Sequence, residues 1–151
     1  MIETGGWGGR ARGGFRVVTC VAAALPARAI LSRMPNDQLF LLRPDFADPA
    51  LGPGAYHCTD CARIEGLLSY FPTLRTQLDV TYVDLPRPRA AIVALLGEAY
   101  QNCPVLVVLR APGDHAALLR ESAETGLRYC TGADDITAYL HAAYGVSAAH
   151  P

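Results

Sequence analysis

The residues best suited to chemistry in this sequence are two cysteines three positions apart, in Cys58-Thr59-Asp60-Cys61. In disulfide exchange the thiolate is the attacking species. A cysteine at a helix N-terminus meets unpaired N–H groups and the positive end of the helix dipole, and both favour the thiolate. The residues after the pair supply such a helix. Ile64, Leu67, Leu68 and Phe71 fall at i, i+3, i+4 and i+7, which makes one apolar face, and Pro72 ends it. The spacing predicts a helix over about 61–71, with Cys58 in its first turn and Cys61 one turn on, on the same face and within disulfide reach. Asp60, between the two cysteines, partly opposes thiolate formation at Cys58. The plain alternative is two unreactive cysteines on a helix.

The other elements alternate around this one. Residues 38–42 read as a buried strand, followed by a long Pro- and Gly-rich loop that ends at His57. Residues 80–85 are rich in β-formers. A Pro86-Arg87-Pro88-Arg89 turn leads to a helix with Ile92, Leu95, Leu96 and Ala99 on one face. Residues 105–109 are apolar without alternation, as in a strand buried on both faces. A short helix over 116–121 and a loop lead to a strand at 127–130. The last helix opens near Gly132, has Ile136, Tyr139, Leu140 and Ala143 on its face, and stops at Gly145. The first two strands should be parallel and the last two antiparallel, giving an α/β fold with a central mixed four-stranded sheet flanked by helices.

Composition bounds the function. The chain has 151 residues and a net charge of −1, enough for one domain with a full core. Residues 1–33 carry five arginines and one acid, Glu3, for +4; the remainder carries eight basic and thirteen acidic residues, for −5. The acidic body has no basic face for nucleic acid, and no apolar stretch is long enough for a membrane span. Five irregularly spaced cysteines fit redox or metal chemistry in a reducing compartment better than a secreted disulfide scaffold. A cytoplasmic protein is expected. Residues 1–33 read as an irregular extension outside a domain of residues 34–151, with Met34 as a plausible alternative start. Against this, the apolar run at 17–25 behind three arginines, followed by Ala27-Arg28-Ala29, is a weak secretory pattern, so export is the alternative if residues 1–29 act as a signal peptide.

Three marks together resemble the thioredoxin-like superfamily, including the thioredoxins and glutaredoxins. They are the Cys-x-x-Cys that opens the first helix, Cys103-Pro104 before the third strand, and Thr131-Gly132-Ala133-Asp134-Asp135 before the last helix. The resemblance covers residues 37–145. It implies a cis peptide at Pro104, with its loop facing the cysteine pair, and backbone and acid groups at Asp134 and Asp135 that hold the γ-glutamyl end of glutathione. Residues 67–72, Pro86-Arg87-Pro88-Arg89 and Gln101-Asn102-Cys103-Pro104 further resemble an uncharacterised bacterial family of thioredoxin-like proteins, domain of unknown function 3088, which implies a fold and no reaction. The loop between Leu42 and Cys58 is longer than in thioredoxins or glutaredoxins, and could cover the site or shift the cysteines off the helix tip.

Three functions compete on these residues. The first is a thiol–disulfide oxidoreductase of glutaredoxin or thioredoxin type. Cys58 attacks and Cys61 resolves; Cys103, Pro104, Asp134 and Asp135 bind the substrate. The partner is a thiol or disulfide protein or glutathione, and no cofactor is required beyond glutathione as co-substrate. The second is a redox-sensing or zinc module using Cys58, Cys61 and Cys103, with His57 adjacent. The third is a glutathione-binding, transferase-like domain without redox turnover. Each residue also has a bland reading. Cys103 is a small buried residue, Asp134 and Asp135 suit a helix's first turn without any ligand, and Arg87 and Arg89 are solvated turn residues that could otherwise steer an acidic peptide. Cys20 and Cys130 read as structural, and His115, His141 and His150 show no partner spacing.

Overall fold

The structure is a computed structural model that describes residues 35–150. The extension expected over 1–33, Met34 and Cys20 lie outside the described residues. Strand β1 (Asp37–Leu42) is followed by a long loop, helix α1 (Thr59–Tyr70), a single helical turn α2 (Leu74–Gln77) and strand β2 (Leu78–Val83). Helix α3 (Ala90–Leu96), strand β3 (Val105–Val108), a 3-10 helix over Gly113–Leu118, strand β4 (Arg120–Glu121), strand β5 (Arg128–Thr131) and helix α4 (Ala133–Tyr144) complete the order.

The strands form one open mixed sheet in the order β2-β1-β3-β5-β4. β1 and β2 are parallel, with Asp37 opposite Leu78. β1 and β3 are antiparallel, as are β3 and β5. The sheet therefore has five strands, not the expected four. β4 is the addition: two exposed residues, Arg120 opposite Tyr129 and Glu121 opposite Arg128, too short and too polar to show a strand period. It also falls where a short helix was expected over 116–121; that turn lies earlier, at Gly113–Leu118.

Period-2 alternation divides the core between the two sheet faces. Leu39, Leu41, Leu106 and Val108 pack on one face with Ile64 and Leu68 of α1 and with Ile136, Tyr139 and Leu140 of α4. Phe40, Val105 and Val107 pack on the other with Ile92 and Leu96 of α3. The helix faces named from sequence spacing are those that turn to the core: Leu67, Phe71 and Leu95 are partly buried, Phe71 and Ala99 lie just beyond their helices, and Ala143 is exposed. Ile64 and Leu68 are fully buried. Each contributes roughly 1.5–3 kcal/mol of burial free energy, which anchors the helix that carries the cysteine pair.

α1 begins two residues before the expected start, because Cys58 itself serves as the N-cap, and it ends before Pro72. β2 begins two residues earlier than the β-rich stretch suggested, since buried Leu78 continues directly from α2. α4 ends at Gly145, whose left-handed φ of 72° suits a C-cap glycine.

Gly97 ends α3 at φ 85°, and a Cβ there would collide with the Glu124 carboxylate. That carboxylate accepts the N–H groups of Glu98 and Ala99, both at 3.2 Å. Gly97→Ala would strain the backbone and displace Glu124. We expect a loss of about 1–3 kcal/mol in urea unfolding, larger than for Glu124→Ala alone. Equal losses for the two variants would mean that the backbone at position 97 carries no conformational demand.

Candidate functional site

The loop between β1 and α1 closes on itself before it reaches the cysteines. Phe46 and Tyr56 exchange backbone hydrogen bonds of 3.1 and 2.8 Å, and the Tyr56 hydroxyl donates to the Leu51 carbonyl. The chain thus returns to the end of β1 and enters the helix at Cys58. The longer loop has not moved the pair off the helix tip.

Cys58 is the N-cap of α1 in extended backbone conformation, and its sulfur accepts the N–H of Cys61 at 3.3 Å. An unpaired helix donor is therefore satisfied by sulfur in place of the usual hydroxyl or carboxylate. Cys58 is half-buried and Cys61 is buried. The Cys61 sulfur faces the end of β1, where the Leu42 N–H donates to it at 3.3 Å. Burial pushes the Cys61 thiol up to about 12; the Leu42 hydrogen bond works against this, and Cys58 adds to it.

Across from the pair lies Cys103, at the entry to β3. The Cys103–Pro104 peptide is cis, as the superfamily resemblance implies. The Cys58 thiol is directed at the Cys103 carbonyl, 3.8 Å away. Burial pushes the Cys103 thiol up to about 11, while the charges of Arg89 and Arg87 pull the other way. All four described cysteines are free thiols. Cys130 is buried in β5, its thiol pushed up to about 12 by burial, as suits a structural residue.

The loop before Cys103 is fixed by a residue read from sequence as solvated. Arg89 is only 8 % exposed. Its guanidinium donates to the carbonyls of Asp84, Leu85 and Gln101, and its N–H donates to Gln101 Oε1 at 2.7 Å. Arg87 is exposed and donates to Asn102 Oδ1 at 3.0 Å. The turn before α3, which contains a second cis peptide at Arg87–Pro88, is thereby bound to the Cys103–Pro104 loop. The Pro104 carbonyl in turn accepts the Gly132 N–H and the Thr131 hydroxyl.

The two acids at the start of α4 have different surroundings. Asp134 pairs with Arg63 at 2.6 Å, and Arg63 also faces Asp60 at 3.7 Å, so Asp134 is linked to the helix turn that holds the pair. Asp135 turns to Arg120 of β4 at 3.4 Å. Both are exposed. Sequence spacing placed the two side by side and could not separate them.

On the other side of the pair a largely apolar pocket of about 220 Å³ is lined by Leu41, Leu42, Pro44, His57, Cys58, Cys61, Ala62, Glu65 and Tyr82. The Glu65 carboxylate at its wall is held by Arg75 and by the Tyr82 hydroxyl, the latter at 2.7 Å. Neither the pocket nor this cluster was found from the sequence. Glu65 and Tyr82 belong to α1 and β2, and only the parallel pairing of β2 with β1 brings them together.

A model of the family described as "Protein of unknown function (DUF3088)" matches residues 36–148, three-quarters of the chain. The chain belongs to that family. No curated protein and no solved structure matches it. The matched span of this DUF3088 protein includes every element of the sheet, the cysteine pair, the Cys103–Pro104 loop and both acids of α4. Membership assigns no reaction, so the chemistry rests on the side chains. Among the described residues no group of three or more His, Cys, Asp or Glu side chains is arranged to hold a metal ion, and no helix is long and apolar enough to cross a membrane. The set Cys58, Cys61 and Cys103, with His57 adjacent, is not among such groups.

Proposed function

We propose that the protein is a thioredoxin-like thiol–disulfide oxidoreductase in which Cys58 is the nucleophile and Cys61 the resolving thiol. One observation carries the reading. The Cys58 sulfur sits at the N-cap of α1 and accepts the Cys61 N–H, while the Cys103–Pro104 loop stands opposite at 3.8 Å. Donors at a helix start stabilise negative charge on sulfur, and the facing loop offers backbone groups to an extended substrate.

The reaction needs no cofactor beyond its disulfide partner. The Cys58 thiolate attacks a substrate disulfide; one substrate thiolate leaves and takes a proton, and a mixed disulfide remains on Cys58. Cys61 then gives up its proton and attacks the Cys58 sulfur. The second substrate thiolate leaves, the substrate gains two electrons, and a Cys58–Cys61 disulfide is formed. The Leu42 N–H already aimed at the Cys61 sulfur stabilises its thiolate during that step. The same steps in reverse oxidise a dithiol. The substrate is a protein disulfide or dithiol, or glutathione. In the glutathione case Asp134 and Asp135 supply the acids at the start of α4, each already facing an arginine.

The test is a titration of the full chain in glutathione buffers of graded potential, with peptide mapping after acid quenching. We expect one reversible two-electron transition whose product is a Cys58–Cys61 disulfide. Both thiols remaining free across the whole range of buffers would remove the reading.

A further inference from the structure

Cys58 has two thiols beside it, not one. Cys61 lies one helical turn on, and Cys103 lies across the gap, its main-chain carbonyl 3.8 Å from the Cys58 sulfur. Cys58 and Cys103 pack against the same core cluster. A cysteine side chain places its sulfur by a single rotation about χ1. The Cys103 sulfur hangs from the residue whose backbone faces Cys58, and the two thiols are close enough to act on each other electrostatically.

The position of Cys103 is also firmly set. Gln101, two residues before it, is held by Arg89 and by its own side chain, which donates to the Glu98 carbonyl at 2.8 Å. Arg87 holds Asn102, and β5 holds the Pro104 carbonyl. Among the described residues Arg89 has no carboxylate partner; all its side-chain acceptors are neutral carbonyls. Its charge is therefore not cancelled locally, and with Arg87 it favours the thiolate of Cys103 against the effect of burial. No arginine acts in this way on Cys61.

We infer that Cys103 is a second resolving thiol, able to attack the Cys58 sulfur of a mixed disulfide and form a Cys58–Cys103 disulfide as an alternative to Cys58–Cys61. The inference rests on the thiol–disulfide reading above. The step balances without a further oxidant. The Cys103 proton passes to the departing substrate thiolate, the bond between Cys58 and the substrate breaks, and the bond between Cys58 and Cys103 forms. The protein is oxidised by two electrons and the substrate disulfide is reduced by two. A protein with this arrangement releases a captured substrate even when Cys61 is blocked.

The experiment compares full-length Cys61→Ser with Cys61→Ser/Cys103→Ser, each reacted with glutathione disulfide and followed by intact mass and peptide mapping. In Cys61→Ser we expect the glutathione adduct on Cys58 to decay into an internal disulfide that maps to Cys58 and Cys103. In the double variant the adduct should persist at least about tenfold longer, because both thiols assigned to resolve it are gone. Cys61→Ser/Cys103→Ala serves as a second version of the double variant should the serine at position 103 disturb folding. Equally long-lived adducts in the single and double variants would overturn the role of Cys103 and leave the thiol–disulfide reading standing. No adduct on Cys58 in any variant would overturn both.

Discussion

Cys58→Ser is expected to lower the rate of disulfide exchange at least about a thousandfold, since it removes the nucleophile and leaves the rest of the site in place. The serine hydroxyl can still cap α1 through the Cys61 N–H, so the fold should be kept. Selective labelling gives an independent measure. Burial holds Cys61, Cys103 and Cys130 as neutral thiols, at about 12, 11 and 12. At pH 7 a group titrating near 11 is ionised to roughly one part in ten thousand. Among the four described cysteines, iodoacetamide at neutral pH should therefore mark Cys58 first, and Cys58→Ser should remove that early label. Because the other three titrate at about 11 to 12, their labelling should be slow at neutral pH and keep rising with pH well past about 8.5, where an ordinary free thiol levels off. Early label at Cys103 or Cys130, or full exchange activity in Cys58→Ser, would contradict the assignment.

The pair and its helix could be read from the sequence because each left a local trace. The apolar residues of α1 recur at helical spacing up to Pro72, and β3 is apolar at four successive positions because both its faces are covered. The link between Cys103-Pro104 and the pair was available only through a resemblance, since no spacing in one chain reveals which loop faces which helix. Features that depend on two distant segments left no trace. Arg89 sits in a Pro-Arg-Pro-Arg turn, where arginine is usually solvated. Its burial follows from three carbonyls supplied by residues 84, 85 and 101. β4 is missed because two exposed residues have no period, and α2 because one helical turn has none. The separation of Asp134 from Asp135 follows from the turn of α4, which aims one at Arg63 of α1 and the other at Arg120 of β4.

Asp37 is the clearest case of a residue whose importance the sequence concealed, and its replacement by alanine is expected to cost about 3–5 kcal/mol of stability. In sequence it marks only the edge of an apolar run. In the fold it is 1 % exposed. One carboxylate oxygen accepts the backbone N–H groups of Leu109 and Arg110 at 2.9 and 3.2 Å; the other accepts the Tyr144 hydroxyl at 2.7 Å. The Arg110 guanidinium lies 3.6 Å from the first oxygen and 4.9 Å from the centre of the Tyr144 ring. One side chain thus joins the start of β1, the exit of β3 and the last turn of α4. Alanine would leave two backbone donors, a hydroxyl and a guanidinium without their acceptor, and each unmet partner carries its own desolvation cost. Asp37→Asn keeps one oxygen and the shape, so its loss should be smaller, about 1–3 kcal/mol. Domains of this size are stable by about 5–15 kcal/mol, so Asp37→Ala should move the urea midpoint by about a fifth of its value or more with an unchanged slope. The site lies at the opposite end of β1 from Leu42 and the cysteine pair. The exchange rate per folded molecule should therefore be unaffected under conditions where the variant is folded. A loss below about 1 kcal/mol would show that water replaces the carboxylate, and the three-element junction would then not be a source of stability.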